Sequence, residues 1–214
     1  MPKLVVRAFA VSVDGFSSST NQRLDQPFGD GGSRLMDWMF PTKFFCSMVG
    51  RPGGEEGPDN DVATHADDNV GATIMGRNMF GPDRGPWDLN WKGWWGDNPP
   101  YHHPVFVLAH QKRERFALEG GTDFTFVTDG IESALEKAFE AARGKDVRVG
   151  GGPATVRQYL KAGLIDELSI VQVPLLLGQG EPLFAGVENL GKLYECTEFH
   201  PSKAVSHVKF VKKS

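Results

Sequence analysis

Between Asp146 and Thr155 the chain reads Asp-Val-Arg-Val-Gly-Gly-Gly-Pro-Ala-Thr, a short apolar strand that passes through three glycines into a helix. Residues without Cβ let a strand–helix turn bring its backbone N–H groups close to a ligand. The helix aims its positive N-terminus at the same point, and the chemistry this suits is a phosphate. Pro153 stands where a first helical residue belongs, Val156 and Leu160 give an apolar stripe, and Gly163 is a natural stop. A bare glycine run is also an ordinary tight turn. The G-x-G-x-x-G fingerprint is incomplete: Gly150 and Gly152 fit, but Thr155 takes the third glycine's place. Asp166 and Glu167 come too early for the acidic residue expected about 20 positions on. A nucleotide phosphate is indicated without the usual NAD fold.

The elements that must carry this turn follow from the apolar patterning. Residues 4–13 are apolar on both faces apart from Arg7 and Ser12, which suits a central strand, and Asp14-Gly15 ends it. Ser33 is a candidate N-cap for a short helix through Leu35, Met36 and Met39, stopped at Pro41. Residues 50–61 are loop by composition, and Ala72–Met75 is a second strand ended by Gly76-Arg77-Asn78. Val105–Ala109 and Phe124–Val127 are further strands. Asp129 and Glu132 frame the start of a helix with the stripe Ile131, Leu135, Ala138, Phe139 and Ala142. Leu168–Leu177 and Val205–Val211 read as two late strands. Strands alternating with helices predict an α/β fold, one domain over residues 1–214. Its central, mostly parallel sheet is flanked by helices and closed by a C-terminal antiparallel pair.

Bulk properties narrow the function. The 214 residues are 40% hydrophobic, enough for a real core, and the net charge of −4 without a basic block gives no reason for a nucleic-acid partner. Cys46 and Cys196 match no metal or redox spacing, which predicts reduced thiols, with a single disulfide as the alternative. The N-terminus reads as a strand and not a signal peptide, and no apolar run reaches membrane-spanning length, so a cytoplasmic protein is expected. His102-His103 has no carboxylate or cysteine at metal spacing, so no metal site is expected.

Five segments in order carry a resemblance. They are Ser12-Val13-Asp14-Gly15; Ile74-Met75-Gly76-Arg77-Asn78; Val105-Phe106-Val107-Leu108; Val147-Arg148-Val149-Gly150-Gly151-Gly152; and Leu164-Ile165-Asp166-Glu167-Leu168 running into Pro174–Gly180. The chain resembles the dihydrofolate-reductase-like superfamily. Within it the likeness is to the reductase (C-terminal) domain of the bifunctional riboflavin-biosynthesis deaminase/reductase. The resemblance implies NADPH as hydride donor, a small-molecule substrate and a homodimer. It also implies that Gly76, Arg77 and Asn78 form one phosphate wall and Gly150, Gly151, Gly152, Ala154 and Thr155 the other. Arg77, at a strand–helix junction, can fork onto a 2′-phosphate and so favour NADPH over NADH, although it also fits a surface ion pair. Leu108, Ala109 and His110 end the strand that lines the adenosine side in that family, although His110 also fits a solvated loop.

Asp14 is the ionisable group the resemblance sets beside the nicotinamide pocket, to orient substrate or relay a proton; an ordinary Asp-Gly turn looks the same. Asp37 is a candidate for the carboxylate that grips a pterin in dihydrofolate reductases, but Trp38 and Pro41 disturb its register. The segment from Trp87 to His103 holds Trp87, Trp91, Trp94, Trp95 and Tyr101, too much aromatic surface to leave in water. Three readings stay open for it: a roof over the substrate that uses Trp94 and Trp95, a dimer contact, or a local core. Glu181 fits either a substrate-side position or a loop between strands. The deaminase zinc pattern is absent. Three functions remain: reduction of the ribosylaminopyrimidine intermediate or a related heterocycle or carbonyl, dihydrofolate or pterin reduction, and a nucleotide-binding module without turnover.

Overall fold

The apolar runs pair into one sheet. A computed structural model describes residues 1–81 and 85–213. Its strands are β1 (Leu4–Ser12), β2 (Val70–Gly76), β3 (Pro104–Leu108), β4 (Phe116–Ala117) and β5 (Asp123–Val127). They are followed by β6 (Asp146–Gly151), β7 (Glu167–Val173), β8 (Tyr194–Pro201) and β9 (Ser206–Lys212). Their order across the sheet is β4-β5-β3-β2-β6-β1-β7-β9-β8. From β5 to β7 all neighbours are parallel, while β9 runs antiparallel to β7 and β8 antiparallel to β9. The expected α/β architecture and its C-terminal antiparallel pair are both present.

Burial explains which strands are central. Leu4, Val5 and Val6 are each at most 1% exposed, because β1 lies between β6 and β7 with both faces covered. One face is covered by α4 (Ile131–Ala142) and α5 (Pro153–Lys161). Ala134, Ala138 and Ala142 are the buried line of α4, small enough to bring its backbone close to the sheet, with Ile131, Leu135 and Phe139 packed beside them. The opposite face carries two further clusters. One is built around Leu35 and Trp38 with Val171 and Val173, the other around Met75, Phe80, Val105 and Phe124.

Several local expectations are corrected. The helix from Ser33 shortens to a single 3-10 stretch, Gly32–Met36, entered through Gly31 at φ 68°, and Ser33 makes no cap bond. Instead, Thr42 caps α1 (Lys43–Met48), its hydroxyl accepting from the Phe45 N–H at 3.2 Å. The stretch read as loop over 50–61 already holds the start of α2 (Pro58–Thr64), with Pro58 in the first turn and Asp59 and Asp61 at its positive end. Asp59 then ties α2 to β9 and the turn before it, bonding His207 Nε2 at 2.6 Å and the Ser202 hydroxyl at 3.0 Å. Strand β7 stops at Val173, since Pro174 has no N–H to continue a ladder. Gly130, not Asp129, stands at the N-cap of α4, and Asp129 pairs with Lys137 at 3.7 Å. Among the described residues the remaining α-helices are the single turns α3 (Arg77–Phe80) and α6 (Leu190–Leu193). No helix among the described residues is long and apolar enough to cross a membrane.

Candidate functional site

A groove of about 1740 Å³ runs across the carboxyl ends of the parallel strands and over the sheet face below them. In an open α/β sheet the crevice at those ends is where ligands bind. Strand β6 delivers Gly150 and Gly151 there, the peptide to Gly152 is cis, and α5 begins at Pro153. Gly152 gives α5 no side-chain cap and its first turn holds no acidic residue, so the Ala154 N–H, which has no acceptor within the helix, is available to a ligand. Strand β2 brings Gly76 against the same turn, pairing Met75 with Gly151. A Cβ at Gly76 would run into Thr155 Oγ1, so glycine is what allows the two walls to meet. At Gly151 (φ 130°) a Cβ would lie 3.0 Å from Phe9 Cε2 and 3.2 Å from Met79 Sδ, whereas at Gly152 it would meet nothing within 4 Å.

Most of the expected site residues converge on this groove. Gly76, Arg77, Asn78, Leu108, His110, Gly150, Gly152, Ala154 and Thr155 line it, as do Trp94, Trp95 and Glu181. Gly151 is buried beneath the turn. Asp14 stands apart from the lining. Its carboxylate accepts from the Ser12 hydroxyl, from the Gly178 N–H at 2.7 Å and from the Leu177 N–H at 3.2 Å. The Ser12 bond leads in holding its pKa below the usual carboxylate value. Asp14 thus clamps the loop after β1 to the loop after β7. Arg77 lies with its guanidinium 3.3 Å from the centre of the Trp87 ring and donates to the Gly85 carbonyl at 3.1 Å. Glu181 is held by Arg157 at 3.3 Å. Asp37 is exposed, and the groove is lined at that segment by Met36 and Met39.

The tryptophan-rich segment divides its labour. Trp87 and Trp91 join the cluster around Phe80, and Trp91 donates to the Phe80 carbonyl at 2.8 Å. Trp94 donates to the Met79 carbonyl at 2.8 Å and, with the 43% exposed Trp95, forms part of the groove wall. Local core and groove wall are therefore both present. Arg113, a residue the sequence reading passed over, anchors the arrangement. Its guanidinium carbon lies 4.8–5.4 Å from the ring centres of Phe80, Trp87, Phe116 and Phe126. It also donates to the Leu89 and Trp91 carbonyls at 3.2 and 2.7 Å. These four rings lie apart in the chain, so nothing in the sequence marks one arginine as the group that will sit among them.

His103 lines the groove below Gly150, its Nε2 2.7 Å from the Thr73 hydroxyl. Burial, reinforced by Arg148, pushes its pKa down from 6.5 to about 4, so it is neutral at pH 7. A group that must charge on unfolding makes the folded state lose stability as pH falls from the unfolded value toward the folded one. The thermal stability of the protein is expected to fall as pH drops from 6.5 to about 4. His103→Gln should flatten that slope, and an unchanged slope would remove His103 as its source. The described residues contain no cluster of histidine, cysteine and carboxylates fit for a metal, and both cysteines are free thiols.

The profile of the RibD C-terminal domain family matches residues 3–205. The chain belongs to that family. Among curated proteins it is 28% identical over 96 residues to YyaP and 30% identical over 93 residues to YwjB, both uncharacterised proteins of Bacillus subtilis. Those matches cover 43% and 41% of this chain, and the chain spans about half the length of each relative (50% and 53%). Among solved structures, a putative riboflavin biosynthesis protein from Shewanella sp. superposes with a TM-score of 0.60 at 23% identity over the full length of both chains. A deaminase/reductase from Thermotoga maritima gives 0.57 at 13% identity, covering 99% of this chain and 57% of its own. Dihydrofolate reductase from Enterococcus faecalis, complexed with NADP(H), gives 0.55 at 12%, covering 99% of this chain and 97% of its own. The family's fold is the one the five ordered segments pointed to.

Proposed function

We propose that this protein is an NADPH-dependent reductase of a small carbonyl or heterocyclic substrate. The observation that carries the reading is the meeting of an uncapped, acid-free helix N-terminus with the Gly76–Arg77 junction at the carboxyl edge of the sheet. A groove of about 1740 Å³ exceeds the roughly 300–1,000 Å³ of a pocket for one small molecule, which supports a dinucleotide and a second ligand together.

In this reading Ala154 and the α5 terminus hold a phosphate, Gly76 and Gly152 keep the approach open, and Asn78, Leu108 and His110 wall the adenosine side. Arg77, oriented by its stacking on Trp87, faces the 2′-phosphate. The chemistry NADPH would supply is a hydride delivered to an electrophilic C=O or C=N carbon. Trp94 and Trp95 exclude water from the substrate side, and Glu181, fixed by Arg157, borders it. Asp14 is a positioning residue, since its carboxylate is spent on Ser12, Leu177 and Gly178. Asp37 points to solvent, so the geometry gives no support to pterin recognition through that carboxylate. A homodimer and a cytoplasmic setting complete the proposal.

Arg77→Ala tests the cofactor assignment. A charge-assisted bond to phosphate contributes about 1.5–3 kcal/mol, so the NADPH Kd should rise roughly 10- to 100-fold while the NADH Kd moves less than about twofold. An equal loss for both nucleotides, read by calorimetry, would take Arg77 off the 2′-phosphate.

A further inference from the structure

We propose that Arg148 and Asp67, with His103 beside them, orient the substrate by binding the adjacent N–H and C=O of a flat, neutral lactam. That this lactam is the substrate rests on the reductase reading; that it binds does not. These contacts are distinct from the ones assigned above to Asp14, Glu181 and the tryptophans.

Strand alternation puts the three groups on the floor of the groove. Val147 and Val149 are buried in the core beneath α4 and α5, so Arg148 and Gly150 face the opposite side of the sheet. Thr73 does the same between Ala72 and Ile74, and it pairs with Arg148 across the ladder. Its hydroxyl meets His103 Nε2 at 2.7 Å. Arg148, Asp67 and His103 all line the groove. Along β6, Arg148 stands roughly 7 Å before Gly150 at about 3.3 Å per residue. Gly150 has no side chain, and a Cβ there would sit 3.2 Å from Thr73 Cγ2. A flat ring can therefore lie against this face between Arg148 and the glycine turn.

The ion pair is not closed on itself. Arg148 is paired with Asp67, yet the Asp67 side chain is 41% exposed. Arg148 Nε is buried without a partner and beyond a ligand's reach. Arg148 Nη2 and His103 Nδ1 make no hydrogen bond among the described residues, and neither is shut off from the groove. Replacing such a pair with apolar residues of similar volume is often neutral for stability, so a half-buried pair with open edges suits a ligand better than it suits a core. A guanidinium N–H beside a carboxylate oxygen presents a donor and an acceptor together. A lactam offers the matching acceptor and donor and leaves the pair intact. A carboxylate would face Asp67, and a cation would face Arg148. His103 is neutral at pH 7 and adds no charge to this balance.

The wider groove is cationic. Arg7, Arg77, Arg143, Lys145 and Arg148 line it against Asp67 and Glu181. Arg7 is matched at 3.1 Å by Asp146, which lies outside the lining. Arg77 belongs to the cofactor wall, and Arg143 and Lys145 are exposed on the turn before β6. An anion is therefore the competing occupant, and the experiment includes one.

The test is calorimetry on the full chain with three flat probes: 2-quinolone as the neutral lactam, N-methyl-2-quinolone without its N–H, and 2-naphthoate as the anion. NADPH is titrated separately. The lactam is expected to bind at least about tenfold more tightly than either comparator. Asp67→Asn should weaken the lactam roughly five- to tenfold and tighten 2-naphthoate by a similar factor, because Arg148 loses its counter-charge. A purely structural role for Asp67 would weaken both probes together. No binding of 2-quinolone, equal binding of its N-methyl form, tighter binding of 2-naphthoate by the unmodified protein, or a lactam Kd untouched by Asp67→Asn would each overturn the proposal. The three-probe comparison needs no variant, so it decides the matter even where Asp67→Asn fails to fold. Lactam binding by a protein that ignores NADPH would instead overturn the reductase reading and leave this site standing.

Discussion

Ala154→Glu is expected to weaken NADPH binding by about 10- to 100-fold in a protein that stays at least as stable as its parent. Ala154 is exposed in the first turn of α5 and lines the groove, so the added side chain displaces nothing in the core. A carboxylate near a helix N-terminus interacts favourably with the macrodipole, by about 0.3–1 kcal/mol, which offsets the small propensity loss from alanine. The same carboxylate occupies the place of the phosphate and repels it, and 1.4–2.8 kcal/mol corresponds to about 10- to 100-fold in Kd. A substitution at Gly151 would also impair binding, but through φ 130° and the contacts with Phe9 and Met79, and a misfolded turn would give the same result. Unchanged NADPH affinity in folded Ala154→Glu would sink the phosphate role of this turn.

Phe80→Ala should cost about 3–5 kcal/mol of stability, measured by denaturant unfolding. Phe80 is 1% exposed, and the rings of Phe124, Phe126, Trp87 and Phe116 lie 5.2, 5.2, 5.9 and 6.4 Å from its centre. Removing the ring leaves a cavity under the tryptophan segment and withdraws one of the four rings around Arg113. Phe80 also ends the single turn that begins at Arg77, so the damage reaches the cofactor wall. NADPH affinity is therefore expected to fall together with stability, whereas Ala154→Glu separates the two. A loss below about 1 kcal/mol would mean that the segment is not organised around Phe80.

Much of this arrangement was legible in the chain. Continuous apolar runs gave β1, β2, β3 and β6, because strands buried on both faces show no alternation. The glycine turn, Pro153 and the stripe of α5 were local signals and were found where expected. What escaped has physical reasons. Strand β8 is an edge strand exposed along nearly its whole length, so Tyr-Glu-Cys-Thr-Glu-Phe-His-Pro carries no burial pattern to read. The start of α2 was hidden among glycines and acids, although Pro58 followed by Asp59 was a usable start signal. Besides the nearby Ser12 hydroxyl, the partners of Asp14 are backbone N–H groups more than 160 residues away, and such contacts leave no trace in side-chain type.

The most direct measurement is a pair of calorimetric titrations of the purified protein, one with NADPH and one with NADH. The expected result is saturable one-site binding of NADPH with a Kd at least tenfold below that of NADH. No binding of either nucleotide would contradict the central claim, leaving a member of the family whose groove serves some other ligand.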